Sequence, residues 1–349
     1  MQRFIKRTLF FVLPFFILFG LNYVCYDKHE GDLIRLGFLY SNPTTRSTIN
    51  SPFDNSKVYD TLSGLNLNKK HTYDILTIGD SFTEKGSLSY INYLALEDYK
   101  ILHVDRFISE DTPNQKLIEL IHSSFFEDHK FTYVILQNVE RAFNHRFKKL
   151  NYTKKQDLDL IQNMTRKKVI PQQATKTNFF SKSLFTIPIT NLLYHFDSKP
   201  LDSQTYKVAL TNDALFSNAA NDLLFFTTDL EKIEEKNDSL LIDKSVEELN
   251  KISFLLAERG VQLIVLVAPD KYDLYYDFIE DKQPYEKPLF FDYYDSIGNK
   301  KYIDIKAFQL LKKELPHQKD LYYYDDTHWT PIAAQLISNE INNIITTSN

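Results

Sequence analysis

Residues 73–82 read Tyr73-Asp74-Ile75-Leu76-Thr77-Ile78-Gly79-Asp80-Ser81-Phe82. The apolar run up to Ile78 has the pattern of a strand buried on both faces, and the glycine and small polar residues behind it make a tight turn. A serine on the turn after a parallel strand lies at the carboxyl edge of the sheet, where open α/β folds place their active sites. Outward from there the rhythm repeats. Residues 90–97 read as a helix, 100–104 as a second strand, 114–126 as apolar at helical spacing and 131–136 as a third strand. Further on, 244–258 is an amphipathic helix that stops at Arg259-Gly260, and 261–267 is a strongly buried strand. Residues 302–305 make a fifth strand, and 331–345 the closing helix, with Thr330 near its N-cap and Pro331 in its first turn. Alternating strands and helices predict an α/β fold with a doubly wound parallel sheet of about five strands.

Between the third and fourth strands, 145–240 breaks this rhythm. It is too long for an ordinary loop and reads as an inserted subdomain or lid, with a hairpin within 208–226. The organisation is then a basic flank and apolar segment (1–26), a polar stalk or lead-in (27–70), a first core part (71–144), the insertion (145–240) and a second core part (241–349). The 349 residues suffice for one large core, and 8 glycines against 27 Phe and 22 Tyr give that core an aromatic and aliphatic character. A net charge of −5 with both signs dispersed argues against a nucleic-acid binder. The single cysteine, Cys25, allows no internal disulfide.

Arg3, Lys6 and Arg7 precede an almost uncharged run over 9–26. As a helix this run is about 27–30 Å long, the thickness of a bilayer core. The basic flank stays cytoplasmic by the positive-inside rule, which puts the rest of the chain outside the cytoplasmic membrane. No small-x-small cleavage site follows, so the segment reads as a single-pass anchor, not a signal peptide.

A second motif stands near the other end: Asp325-Asp326-Thr327-His328-Trp329. A serine hydroxyl needs a base to take its proton, and His328 is the natural one; a carboxylate then fixes its tautomer and stabilises the imidazolium. Asp325 and Asp326 are both candidates for that acid. Taken singly, a serine after a strand is usually a turn residue and a histidine beside Trp is usually structural. Their combination points to catalysis. The remaining candidates sit at strand ends. Asn138 follows the third strand, where it can cap the strand's end. Arg141 binds substrate or joins an ion pair with Glu140, and Lys271, beside Asp270 at a strand's carboxyl end, contacts substrate or belongs to a solvated loop. Trp329 packs behind His328 or stacks on substrate, and Asp80, adjoining the nucleophile, is a further candidate substrate contact. No metal-ligand spacing and no phosphate loop are present, so no metal or cofactor is called for.

Gly79-Asp80-Ser81-Phe82 resembles the first block of the SGNH, or GDSL, hydrolase superfamily, and the Asp325-to-His328 spacing resembles its last block. Asp326-Thr327-His328-Trp329 is similar to the signature of the alginate O-acetyltransferase-like branch. So are Ser89-Tyr90-Ile91-Asn92-Tyr93-Leu94, Val139-Glu140-Arg141 and Ala268-Pro269-Asp270-Lys271. The resemblance implies a flavodoxin-like sheet and a Ser81–His328–Asp triad. The acid is Asp326 by the branch's spacing and Asp325 by the wider superfamily's. It also implies an oxyanion hole from the Ser81 N–H, Asn138 and a glycine after the second strand, where this chain has Asp105-Arg106-Phe107. Two departures stand out: that glycine is missing, and the serine precedes the histidine motif where the branch usually has the reverse.

The expected function is O-acyl transfer, most simply acetyl transfer, to polysaccharide hydroxyls outside the cell. Acetyl-CoA is absent there, so an acyl supply is needed, and the resemblance implies a multi-spanning membrane acyltransferase as the partner that delivers it. A carbohydrate or lipid esterase and a catalytically silent glycan-binding subunit are the alternatives.

Overall fold

The computed structural model describes residues 2–25, 31–35, 43–53, 56–66, 69–106, 111–155, 189–190, 192–200 and 203–348. Its centre is a six-stranded, all-parallel sheet. In chain order the strands are β1 (Asp60–Thr61), β2 (His71–Thr72), β3 (Ile75–Ile78), β4 (Ile101–Val104), β5 (His129–Lys130), β6 (Tyr133–Val139), β7 (Thr205–Ala209), β8 (Asp222–Phe226), β9 (Gln262–Ala268) and β10 (Ile303–Ile305). The main sheet runs β1-β4-β3-β6-β9-β10, and β2 and β5 form a small parallel pair of their own. Every residue of β3, β4 and β6 is buried, as expected of parallel strands covered on both faces. The chain steps from β3 outward to β4 and then crosses back to β6. This reversal of direction opens a crevice at the carboxyl ends of β3 and β6.

The helices begin and end where local chemistry dictates. Ser239–Ala257 starts at Asp238, whose carboxylate accepts the N–H groups of Leu240 and Leu241 at 2.9 and 3.2 Å. Beyond its end Gly260 takes φ +72°, a conformation that costs glycine little and other residues much. Pro331–Ser348 begins at Thr330, whose hydroxyl accepts the Ile332 N–H, and buries Ala333, Ala334, Ile337, Ile341 and Ile345 on one face. That face packs on the Tyr90–Leu96 helix that follows the serine turn.

Three expectations change. The sheet has six strands, not five. The sixth, β1, pairs with β4 inside the stretch read as a lead-in, and two residues are too short to display a period. The lead-in is no free stalk either, because Leu33, Tyr59 and Leu62 belong to the main hydrophobic core. At the N-terminus a helix does form, Gln2–Cys25, with Pro14 inside. Among the described residues, however, no helix is long and apolar enough to cross a membrane. Arg3, Lys6 and Arg7 take up its first two turns, and Tyr26, where the span was expected to end, lies outside the described residues.

The hairpin expected within 208–226 is β7 with β8, antiparallel, and it begins slightly earlier. Phe225 stacks on Tyr206 at 5.0 Å and meets Tyr272 at 4.9 Å, which fastens the hairpin to the residues after β9. Much of the insertion, 156–188, lies outside the described residues.

Candidate active site

The nucleophile turn is built around two close fits. A Cβ on Gly79 would stand 2.1 Å from Thr83 Oγ1 and 2.6 Å from Gln137 Oε1, so only glycine leaves room. Gln137 Oε1 accepts the Asp80 N–H at 2.9 Å and the Thr83 hydroxyl at 2.8 Å, which binds the turn to β6. Asp80 adds a second tie. Its Oδ1 accepts the Phe82 N–H at 3.0 Å, and its Oδ2 accepts the Val139 N–H at 2.8 Å and Arg146 at 2.7 Å. Burial works against its charge, but Arg146 and these N–H donors hold the carboxyl below the usual range. Ser81 is left half-buried at the crevice.

The histidine turn arrives from the far end of the chain. Tyr322 and Trp329 pair across it, and the Tyr323 N–H donates to the His328 carbonyl at 3.3 Å. Phe82, next to the serine, packs its ring 4.8 Å from His328 and 5.0 Å from Trp329, so the two motifs share one aromatic contact. His328 Nε2 lies 2.6 Å from Ser81 Oγ, and Nδ1 lies 2.5 Å from Asp326 Oδ1. A carboxylate only accepts, so the neutral imidazole carries its proton on Nδ1 and offers Nε2 to the serine hydroxyl. Burial opposes a charge on Asp326, yet His328, Lys85 and Arg46 hold it well below the ordinary carboxylate range. The arrangement can take a proton from Oγ while a fixed anion stabilises the resulting imidazolium.

Of the two acid candidates, Asp326 is the one at the imidazole. Asp325 turns away to Arg46, 2.6 Å distant. The other candidates are engaged internally. Asn138 donates one Nδ2 N–H to Asn114 Oδ1 and accepts Arg146 on Oδ1, each at 2.9 Å. Arg141 pairs with Asp270 at 2.6 Å and Asp229 at 3.2 Å, not with Glu140. Lys271 is fully buried and donates to the carbonyls of Tyr323 and Tyr324 at 2.8 and 2.7 Å, so it braces the histidine turn from beneath; burial pushes it down to about 7. Trp329 is 1% exposed and packs on Phe82 and Tyr90. Asp80, as described, is a structural tie. These four, expected to touch substrate, are occupied within the protein.

Two residues of the lead-in reach the site without any signal in the sequence. Arg46 lies over the Tyr323 ring and bridges Asp325 and Asp326 at 2.6 and 3.4 Å. Asp32 accepts the Thr327 N–H and hydroxyl. Two groups of side chains converge as metal ligands might: Asp32, Asp326 and His328, and Glu140, Asp270 and Asp273. In the second the Lys236 ammonium already lies 2.6–3.1 Å from all three carboxylates. In the first, His328 Nδ1 is bound to Asp326.

Residues 219–348 match the family model of the SGNH hydrolase-like domain, acetyltransferase AlgX. Over that stretch the chain is similar to an AlgX-type SGNH hydrolase-like domain. The resemblance read from Asp326-Thr327-His328-Trp329 is thereby borne out, and an acetyltransferase domain implies an enzyme. The matched stretch includes Lys271, Asp326 and His328; Ser81 lies outside it. No curated protein and no solved structure matches the chain at a significant level.

Proposed function

We propose that the protein is an O-acyltransferase, acting with acetyl groups on polysaccharide hydroxyls through Ser81, His328 and Asp326. The observation that carries this reading is the unbroken hydrogen-bonded chain Asp326–His328–Ser81, within a fold whose last third is AlgX-like. Ser81 Oγ attacks the acyl carbonyl as Nε2 takes its proton, and Nε2 returns that proton to the departing group. The acyl-serine is then attacked by a sugar hydroxyl, deprotonated by the same nitrogen, which releases the ester and restores Ser81. The Ser81 N–H supplies one donor to the oxyanion. A lost second donor costs about 3 kcal/mol of transition-state stabilisation.

The domain is proposed to act outside the cytoplasmic membrane, with the N-terminal helix lying against an apolar surface without spanning it. Phe4, Phe10, Phe11 and Phe15 all project outward from it, more than 70% exposed, and an apolar environment would cover them. An acyl donor delivered through the membrane by a multi-spanning acyltransferase fits that placement.

The test uses the detergent-solubilised full chain with an activated acetyl ester and intact-mass detection. One added acetyl group, present in the parent and absent in Ser81→Ala, supports the acyl-serine. Oligosaccharide acceptors then separate transfer from ester hydrolysis by water. A folded parent with neither adduct nor turnover would move the catalytically silent glycan-binding reading to the front.

A further inference from the structure

The segment that follows the N-terminal helix lies along the histidine turn. The Leu33 N–H donates to the Asp325 carbonyl at 3.2 Å. The Thr327 N–H donates to Asp32 Oδ1 at 2.8 Å, and its hydroxyl donates to Oδ2 at 2.6 Å. Gly31 fits so closely that a Cβ there would stand 1.9 Å from the Asp325 carbonyl oxygen. From the other side the Thr205 hydroxyl of β7 donates to the Leu33 carbonyl at 3.0 Å, so the segment is held between hairpin and turn. Asp32 Oδ2 ends 3.6 Å from His328 Nδ1.

We propose that Asp32 is a positioning residue for His328: both its oxygens hold Thr327, which fixes the turn carrying the imidazole, and its carboxylate sets a second negative charge beside Nδ1. This rests on the reading of His328 as the general base. The groups that face the imidazole are Asp326, Asp32 and the Ser81 hydroxyl, with Arg46, Asp325 and Lys85 acting on Asp326 from behind. Burial and the Asp326 charge push the Asp32 carboxyl above its usual range, while His328 and the Thr327 donors pull it back. A carboxylate spent only on folding would need no histidine neighbour.

Asp32→Asn and Asp32→Ala in the detergent-solubilised full chain separate the two parts of the proposal. Asn can still accept the Thr327 N–H and bond its hydroxyl, so it removes charge and spares geometry; Ala removes both. The first readout is the imidazole titration of His328 by NMR, assigned through His328→Gln. The second is kcat and KM with an activated acetyl ester, per folded molecule. Loss of an anion destabilises the imidazolium, so the titration midpoint should fall by about half a unit or more in both variants. In Asp32→Ala, kcat should also fall about tenfold with KM nearly unchanged. An unchanged midpoint in Asp32→Asn, with kcat at the parent's level, overturns the proposal and leaves Asp32 a fold contact. Should Asp32→Ala fail to fold, the Asn variant still decides. If the parent turns over no ester at all, the functional reading fails while the titration still judges Asp32.

Discussion

Replacing Asp325 and Asp326 separately by Asn distinguishes two residues that the sequence leaves equivalent. Asp326 Oδ1 accepts both the His328 N–H at 3.0 Å and Nδ1–H at 2.5 Å. One oxygen makes both contacts, so Asn preserves them while removing the charge and the 3.4 Å contact of Oδ2 with Arg46. Coulomb attraction at 2.5 Å with an effective dielectric of about 20 is worth roughly 6–7 kcal/mol to an imidazolium. The amide dipole recovers part of that, so about 4–5 kcal/mol of transition-state stabilisation should be lost, roughly 10³- to 10⁴-fold in kcat. Asp325 faces Arg46 at 2.6 Å instead. Its replacement removes one charge-assisted hydrogen bond, about 1–3 kcal/mol of stability, and should change kcat less than about tenfold. Initial rates with an activated acetyl ester, scaled to the folded fraction from melting curves, compare the two. Equal losses in kcat, or a larger loss for Asp325→Asn, would refute the assignment.

Lys271→Met tests the brace under the histidine turn. Burial lowers Lys271 to about 7, below its unfolded value near 10.4. Between those values the unfolded chain holds a proton that the folded one has released, so this residue's contribution rises with pH from 7 to 10, by at most about 1.4 kcal/mol per unit. Denaturant melts at pH 7 and pH 9 should therefore show the parent gaining relative to Lys271→Met, and a pH-independent difference would count against the lowered value. Gly79→Ala forces a methyl group against Thr83 and Gln137 and should cost about 1–3 kcal/mol together with most of the activity; a variant melting and turning over like the parent would show that the turn has slack. Trp329→Ala empties the space behind His328 and should cost about 3–5 kcal/mol. If it instead leaves stability intact and raises KM alone, Trp329 touches sugar after all.

The strands were legible because parallel strands buried on both faces leave a near-continuous apolar run, as Ile75–Ile78 does around Thr77 and Gln262–Ala268 does beyond its first residue. The end of the Ser239–Ala257 helix was legible because a left-handed residue favours glycine, and Gly260 adopts that conformation. Ser81 and His328 were legible through short motifs on two turns that the sheet topology brings together. Asp32 and Arg46 were not. Their partners lie 295 and 279 residues away, and a polar stretch without period gives no hint of what it touches. The internal partners of Asp80, Arg141 and Lys271, which were expected to touch substrate, were not legible for a related reason. Polar residues at strand ends have the right address, but whether they face a ligand or one another depends on partners that composition does not reveal.

The charges beside the site illustrate this. Glu140 follows β6, Asp270 and Asp273 follow β9, and Asp229 and Lys236 come from the segment after the hairpin. With Arg141 they make four acids against two bases in a buried setting. Full ionisation would leave excess negative charge out of reach of water, which burial penalises heavily. Protons make up the difference. Burial and Asp273 push Glu140 well above the usual range, and burial and Asp270 push Asp229 up to about 8. The Asp270 N–H also donates to Glu140 at 2.9 Å, so one cluster joins β6, β9 and the hairpin segment. Its place follows from the topology: Glu140 and Asp270 stand just past the carboxyl ends of β6 and β9, the same edge of the parallel sheet that carries Ser81. An apolar wall would pack there equally well, but it would not dictate which strand end meets which. The ion pairs do, because each of Arg141 and Lys236 needs carboxylates from two different segments. In this fold the polar residues next to the serine turn fix the register of its supports, and the chemistry is left to the few side chains that the supports hold at the crevice.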